Sequence, residues 1–365
     1  PTAADGTVPF QGTNYGARNA SWFDPNMRMP YVMMWSGGFQ VQLSRTWLME
    51  TTYQGSQGVG LLKNWDINAI PLNVSTERTV LDQIFIAPQN YKPYPQFGAI
   101  QHYSNYGHNS HHSGTFRVER RFAQGMTLNT FYQLGKTLND GDDDGGRSGI
   151  TFYNRRLEKG RASYDIRHRL VSVLTYELPF GKGRKFMHGG GLKDLAFGGW
   201  DIAWTQTFQS GPPVLLTAAG GPNRYLPGML RPDTLLPADQ LVVKDYSVGA
   251  NRFPFTAQNP YFNNAGFAYP APFTAGTMGR NILESPGMRW TQLSLSKDFK
   301  ITERVRVVLR WDCNNPTKEP QLADPGASYN VNSLASFGKF TGTRGSFSDI
   351  GTARMHHVLV GRVQW

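Results

Sequence analysis

The stretch Glu303-Arg304-Val305-Arg306-Val307-Val308-Leu309-Arg310-Trp311-Asp312-Cys313 decides the fold class of this chain. Val305, Val307, Leu309, Trp311 and Cys313 share one phase of a two-residue period, and Arg304, Arg306, Val308, Arg310 and Asp312 share the other. Successive side chains of a strand point to opposite faces, so this is a strand with one apolar and one charged face. A soluble sandwich shows the same alternation. Three arginines on one face suit a wet lumen better than a dry core, because unpaired buried charge is costly. Arg304, Arg306 and Arg310 are therefore expected to face the water of a barrel lumen, with Val305, Val307 and Leu309 against lipid.

The preceding segment Met288–Phe299 places Leu293, Leu295 and Phe299 on one face and Gln292, Ser294, Ser296 and Asp298 on the other. Lys300, Ile301 and Thr302 alone separate the two strands, which predicts a tight hairpin. The same unit occurs upstream. Gly114, Phe116, Val118, Arg120 and Phe122 alternate with Thr115, Arg117, Glu119 and Arg121, then Ala123-Gln124-Gly125 turns the chain into Met126, Leu128, Tyr132 and Leu134. Glycine supplies the positive φ such a turn requires. Trp200, Ile202, Trp204 and Phe208 form a further apolar face, with Arg167–Leu178 as partner and Phe39–Leu43 and Trp47–Tyr53 as a first hairpin.

The connections alternate in length. Those after Leu43, Phe122 and Phe299 are short and the one after Leu178 is moderate, whereas those after Tyr53, Lys136, Gln209 and Cys313 run long. A compact soluble domain rarely carries several long structureless loops. Short periplasmic turns and long extracellular loops are the ordinary plan of an outer-membrane barrel. The last segment agrees. Met355, His357, Leu359, Gly361, Val363 and Trp365 share one face, and Arg354, His356, Arg362 and Gln364 the other. Arg362 joins the expected lumen set. Leu359, Val363 and the terminal Trp365 have the form of the signal that outer-membrane barrels present to their assembly machinery. The expected class is all-β, a transmembrane antiparallel β-barrel in the outer membrane of a Gram-negative cell.

Composition fits. Of 365 residues, 39% are hydrophobic and 13% aromatic, with 40 Gly and 23 Pro for turns and loops. Mean hydropathy is −0.44, and no run approaches the ~18 consecutive apolar residues of a membrane helix. A barrel keeps hydropathy low because only alternate residues meet lipid. The net charge of +11 admits a phosphate-rich partner such as lipopolysaccharide, or basic residues lining a lumen and its rims. No basic run interleaved with aromatics marks a nucleic-acid groove. Cys313 is the sole cysteine, so no internal disulfide framework exists.

Chemical motifs are sparse. Asp140-Gly141-Asp142-Asp143-Asp144-Gly145 matches the first half of a calcium loop, in which Asp140, Asp142 and Asp144 would converge on Ca2+. Thr151 occupies the position of the usual closing glutamate, leaving Glu158 or Asp165 to complete a site, and a solvated acidic loop is the other reading. His111 and His112 are neighbours and would point to opposite faces, as would His356 and His357. Tyr153, Tyr225, Phe253, Phe255, Tyr261 and Phe262 would either grip a substrate or pack loops together. No hydrolase, metalloprotease or phosphate-loop motif occurs, so no enzyme and no resident cofactor beyond that calcium are expected.

Several stretches carry a family resemblance. Tyr164-Asp165-Ile166-Arg167-His168-Arg169, Tyr176-Glu177-Leu178-Pro179-Phe180-Gly181-Lys182-Gly183 and Gly198-Gly199-Trp200 resemble acidobacterial Oar-like TonB-dependent receptors with a carboxypeptidase-regulatory-like domain. Arg28-Met29-Pro30-Tyr31, Phe208-Gln209-Ser210-Gly211-Pro212-Pro213 and Arg310-Trp311-Asp312-Cys313-Asn314-Asn315-Pro316 add to it. The resemblance implies energised uptake of an unidentified small-molecule, sugar or peptide substrate, driven through the TonB complex. It also implies a plug, a TonB box and an amino-terminal domain, none of which is recognisable in residues 1–365. The start Pro1-Thr2-Ala3-Ala4 is neither an initiator nor a signal peptide. Roughly nine spanning strands are expected, an odd number that cannot close alone, against ~22 in plugged transporters. The chain is thus expected to be the carboxy-terminal part of a larger barrel, with a passive porin or structural barrel as the alternative.

Overall fold

The computed structural model describes residues 18–73, 77–142, 150–181, 183–187, 191–221, 230–243, 260–302, 304–319, 321–341 and 355–365. Nine strands follow one another in chain order across one sheet. They are β1 Tyr31–Gln42, β2 Trp47–Asp66, β3 Phe97–Ala123, β4 Met126–Asn139, β5 His168–Glu177, β6 Trp200–Gln209, β7 Met288–Lys300, β8 Arg306–Asn314 and β9 His356–Gln364. Every neighbouring pair is antiparallel. Two short strands join from the side: Arg18–Phe23 runs parallel to β3, and Gly160–Arg161 pairs with β4. β1 and β9 form the two edges, and among the described residues they do not pair with each other.

The register sorts the side chains as the two-residue period demands. One row crosses the sheet through Trp47, Arg120, Leu128, Leu174, Trp204, Leu293 and Cys313. Another brings Phe299, Val307 and Val363 together. Two departures from apolar character, Arg120 and Lys297, lie toward the periplasmic turns. On the other face Lys300 stands beside Arg306 and Gln364, and Ser296 beside Arg310 and Val360. Several charges on that face are paired: Arg306 with Asp298 at 3.5 Å, Arg310 with Asp312 at 3.0 Å, and Arg117 with Glu119 at 2.8 Å. The first face instead exposes carbon, with Leu359 82% and Leu309 50% accessible.

The short turns form where expected. Ser44 Oγ accepts the N–H of Trp47 at 3.2 Å, and the amide of Ile301 donates to Val305 at 3.0 Å. Gln124 and Gly125 both take the left-handed backbone, with φ of 54° and 79°. One expectation is corrected. The connection after Tyr53 is not a long loop from that residue, because β2 continues to Asp66 and β3 begins at Phe97. These strands span 20 and 27 residues, well beyond the ~9–11 that cross a bilayer. Residues 54–66 alternate poorly because, above the membrane, both sheet faces meet protein or water. His108, His111 and His112 accordingly lie within β3.

Rows of aromatic–histidine pairs mark the upper end of the apolar face. Tyr53 bonds His112 Nδ1 at 2.7 Å, Tyr132 bonds His168 Nδ1 at 2.7 Å, and Trp311 donates to His357 Nδ1 at 3.2 Å. Each pair sits at a comparable distance from its periplasmic turn. An apolar ring ending in a polar atom suits the membrane–water boundary. His111, by contrast, turns to Thr137 on the opposite face, as its parity requires.

Candidate functional site at the extracellular mouth

The long loops pack into a cap. One apolar cluster gathers Val214, Leu216, Leu241, Tyr261, Phe262, Phe267 and Phe337 from the loops after β6 and β8. A second gathers Ile70, Ile84, Ile150, Leu230 and Phe273, bringing in helix α1 (Arg78–Ile86). Tyr261 and Phe262 are buried at 6% and 0%, so these two aromatics pack loops instead of meeting solute. Tyr225, Phe253 and Phe255 lie outside the described residues.

Three arginines clamp these loops to the strand ends. Arg231, 1% exposed, reaches both oxygens of Glu158 at 3.2 and 3.3 Å and donates to the carbonyls of Leu157 and Met278. Arg280 donates to Asn139 Oδ1 at 2.7 Å and to Asp142, and Arg161 pairs with Asp165 at 2.7 Å and with Glu284. Glu158 also accepts the amide of Ile150, and Asp165 that of Thr137, both carboxylates being nearly inaccessible. In Arg231 and Arg280 the fork is filled by carboxylate, amide and carbonyl oxygens, the satisfied form of a buried guanidinium. The Tyr164–Arg169 stretch singled out in the sequence thus supplies a carboxylate, Asp165, that ties β4 to its following loop.

This arrangement bears on the acidic loop. Asp140 accepts the amide of His108 at 3.0 Å, and Asp142 is held by Arg280, Asn139 and the amide of Ser163. Burial alone would raise the Asp142 carboxyl, but its hydrogen bonds and Arg280 hold it below the ordinary aspartate value. Asp144 lies outside the described residues. Glu158 and Asp165, considered above as further calcium ligands, face Arg231 and Arg161. Among the described residues no group of carboxylates and histidines has metal-site geometry.

Beside the clamp lies a cavity of about 860 Å³, lined by Tyr106 and His108 of β3, Asn139 and Asp140 of β4, and Phe152, Tyr153, Arg155, Arg156 and Lys159 of the following loop. The Arg155 guanidinium stacks 4.8 Å from the Tyr106 ring, and Tyr153 is 49% exposed. The volume suits a small ligand. Its walls offer aromatic faces and three cationic side chains against one carboxylate. Of the residues expected to matter, Tyr153 reaches this cavity. Arg304, Arg306, Arg310 and Arg362 do not, lying lower, on the wall and at its turn. Arg155, Arg156, Arg231 and Arg280 carried no sequence signal, since a lone arginine in a loop is ordinarily solvated.

Residues 1–354 match the family model described as outer membrane beta barrel domain. Similar solved structures include the outer membrane transporter YddB from Escherichia coli, at 9% identity and a TM-score of 0.45, covering 95% of this chain and 35% of that one. They also include P. aeruginosa FpvA in a complex with a heterologous pyoverdine and Fe, at 8% and 0.41, covering 92% and 27%. The FrpB iron transporter from Neisseria meningitidis matches at 11% and 0.41, covering 94% and 33%. The chain therefore spans about a third of the length of these structures. No curated protein matches it.

Proposed function

Because this chain belongs to the outer membrane beta barrel domain family, and so lies in the outer membrane, we propose that it is the carboxy-terminal part of a TonB-dependent transporter. The observation that carries the reading is the open, nine-stranded meander under a packed extracellular cap. Open edges exposed to lipid leave backbone groups unpaired, which is prohibitive, so β1 and β9 are to be continued by further strands of a barrel of ~22. The Oar-like stretches supply the rest of the reading. The remainder of the protein would carry a plug, a TonB box and the regulatory-like domain. Lipopolysaccharide would surround the upper rim, and barrel assembly machinery would read the last strand. The cavity at Tyr106, Arg155, Arg156 and Lys159 is then the external recognition site, with cationic groups suited to an anionic or sugar-like solute.

Two measurements on the full-length protein test this. Purified TonB periplasmic domain is expected to bind it, and planar-bilayer recordings are expected to show a closed pore. Steady porin-scale conductance with no TonB binding would establish the passive barrel instead. Calcium is a separate question. Isothermal titration should show binding that Asp140→Asn weakens if the acidic loop holds the ion, and no heat if Arg280 keeps Asp142.

The facing of the wall is part of the proposal. Arg304, Arg306, Arg310 and Arg362 look into the lumen, while Leu293, Leu295, Val305, Val307, Leu309, Leu359 and Val363 meet lipid. Leu309→Arg is expected to destabilise the folded barrel by up to about 2–4 kcal/mol, the cost of arginine on the lipid face at mid-depth, less the relief that its place on the periplasmic side gives. Val308→Arg, one residue away on the other face, should be close to neutral. Denaturant unfolding of the full-length protein in vesicles reads both. A larger loss for Val308→Arg would show that the faces are reversed.

A further inference from the structure

We propose that the connection between β5 and β6 is an interfacial anchor, seated in phospholipid of the periplasmic leaflet on the outer side of the barrel. The proposal rests on the facing just given. Within this connection a short helix, α2, spans Leu192–Phe197. Its carboxy-terminal end lies over the apolar face. The Trp200 indole donates to the carbonyl of Ala196 at 2.9 Å, and Lys297 Nζ donates to Ala196 at 3.3 Å and to Gly198. Lys297 pairs across the sheet with Trp200 and Leu309, which places all three on the apolar face. Its ammonium stands 5.1 Å from the Trp200 ring and 5.1 Å from the Phe299 ring, and the residue is only 4% exposed.

A lysine on a lipid-facing strand is ordinarily expensive. Here the carbonyls at the end of α2 and two aromatic faces receive the charge. The helix is thereby held against the lipid side of the wall near its periplasmic end, and Lys297 is the tether.

The resembling Glu-Leu-Pro-Phe-Gly stretch acquires a role in that placement. Gly181 has a φ of 110°, and a Cβ there would fall 2.5 Å from Asp194 Oδ1 and 2.7 Å from the Cα of Gly198. Only glycine lets the Pro179–Phe186 turn close against the end of α2. The turn closes on itself, the Gly181 amide donating to the Phe186 carbonyl at 3.0 Å, and its contact with Asp194 and Gly198 joins it to the helix as one body.

The surface of that body has lipid-interface chemistry. Leu195 and Phe197 are each 56% exposed and Phe186 47%. Arg184, Lys185 and Lys193 are exposed among them, Arg184 also pairing with Glu177 at 2.6 Å. Apolar and aromatic side chains interleaved with cations match acyl chains beneath phosphate headgroups. The patch is continuous with the lipid-facing wall through Trp200 and Phe299, which is why phospholipid is the occupant assigned.

The test places a nitroxide at Leu195→Cys or Phe197→Cys in the full-length protein with Cys313→Ser, reconstituted in phosphatidylethanolamine–phosphatidylglycerol vesicles. Controls carry the label at Leu309→Cys on the wall and at Arg45→Cys in the β1–β2 turn. Oxygen partitions into acyl chains and a charged nickel chelate stays in water. The expected oxygen-to-nickel accessibility ratio at both α2 sites is several-fold above that of Arg45→Cys and approaches that of Leu309→Cys. A ratio equal to that of Arg45→Cys, with Leu309→Cys lipid-exposed, overturns the anchor alone. A water-exposed Leu309→Cys label overturns the facing of the barrel and the anchor with it.

Discussion

Deletion of Trp365 is expected to lower the assembled protein in the outer membrane several-fold while leaving its synthesis unchanged. The physical case starts from β9, which pairs with β8 from Arg306–Gln364 to Asn314–His356. Trp365 follows the last paired residue and is 93% exposed, with Val363 and Leu359 behind it at 53% and 82% on the same face. An indole at this rim places its ring among acyl chains and its N–H in the headgroup layer. Every second residue behind it keeps one face in lipid, so the terminal strand presents a continuous apolar edge to whatever machinery receives it. Trp365→Phe should assemble almost normally, and Trp365→Asp as poorly as the deletion, since the demand is for an interfacial aromatic. The readout is the heat-modifiable, folded fraction in the outer membrane against the periplasmic pool. Normal assembly of the truncated chain would reduce β9 to an ordinary last strand.

Glu158→Ala should be the most damaging substitution in the cap. Arg231 is 1% exposed and Glu158 carries its only carboxylate contacts among the described residues. Removing one partner of a buried pair leaves the other charge uncompensated, at about 3–5 kcal/mol. The amide of Ile150 loses its acceptor as well, at about 1–3 kcal/mol. The damage should stay above the membrane, because the strand ladder does not pass through these side chains. External protease on whole cells should therefore cut the long loops of Glu158→Ala while the wall remains folded by heat-modifiability. Combining it with Arg231→Met should recover part of the resistance, since two apolar groups replace an orphaned charge. Unchanged protease resistance in the single variant would mean that the two apolar clusters hold the cap without the ion pair.

The wall was legible in the sequence and much of the cap was not. Alternation is a local property: once residues 305–313 are extended, parity alone sends Val307 and Leu309 one way and Arg306 and Arg310 the other. The turn at Gln124-Gly125 is equally local, because its positive φ values are written in the residues that adopt them. The upper parts of β2 and β3 escaped because alternation fades where neither sheet face meets lipid. Lys297 escaped as a tether because the carbonyls that receive its charge lie about a hundred positions away, at Gly198. The acidic loop shows the limit most sharply. Asp140-Gly141-Asp142 has the spacing of a cation site, yet Asp142 meets Arg280, 138 residues distant. Local spacing determines which side chains can converge on a point. Chain closure over long separations determines which charge arrives there, and only the packed loops bring Arg161, Arg231 and Arg280 onto their carboxylates.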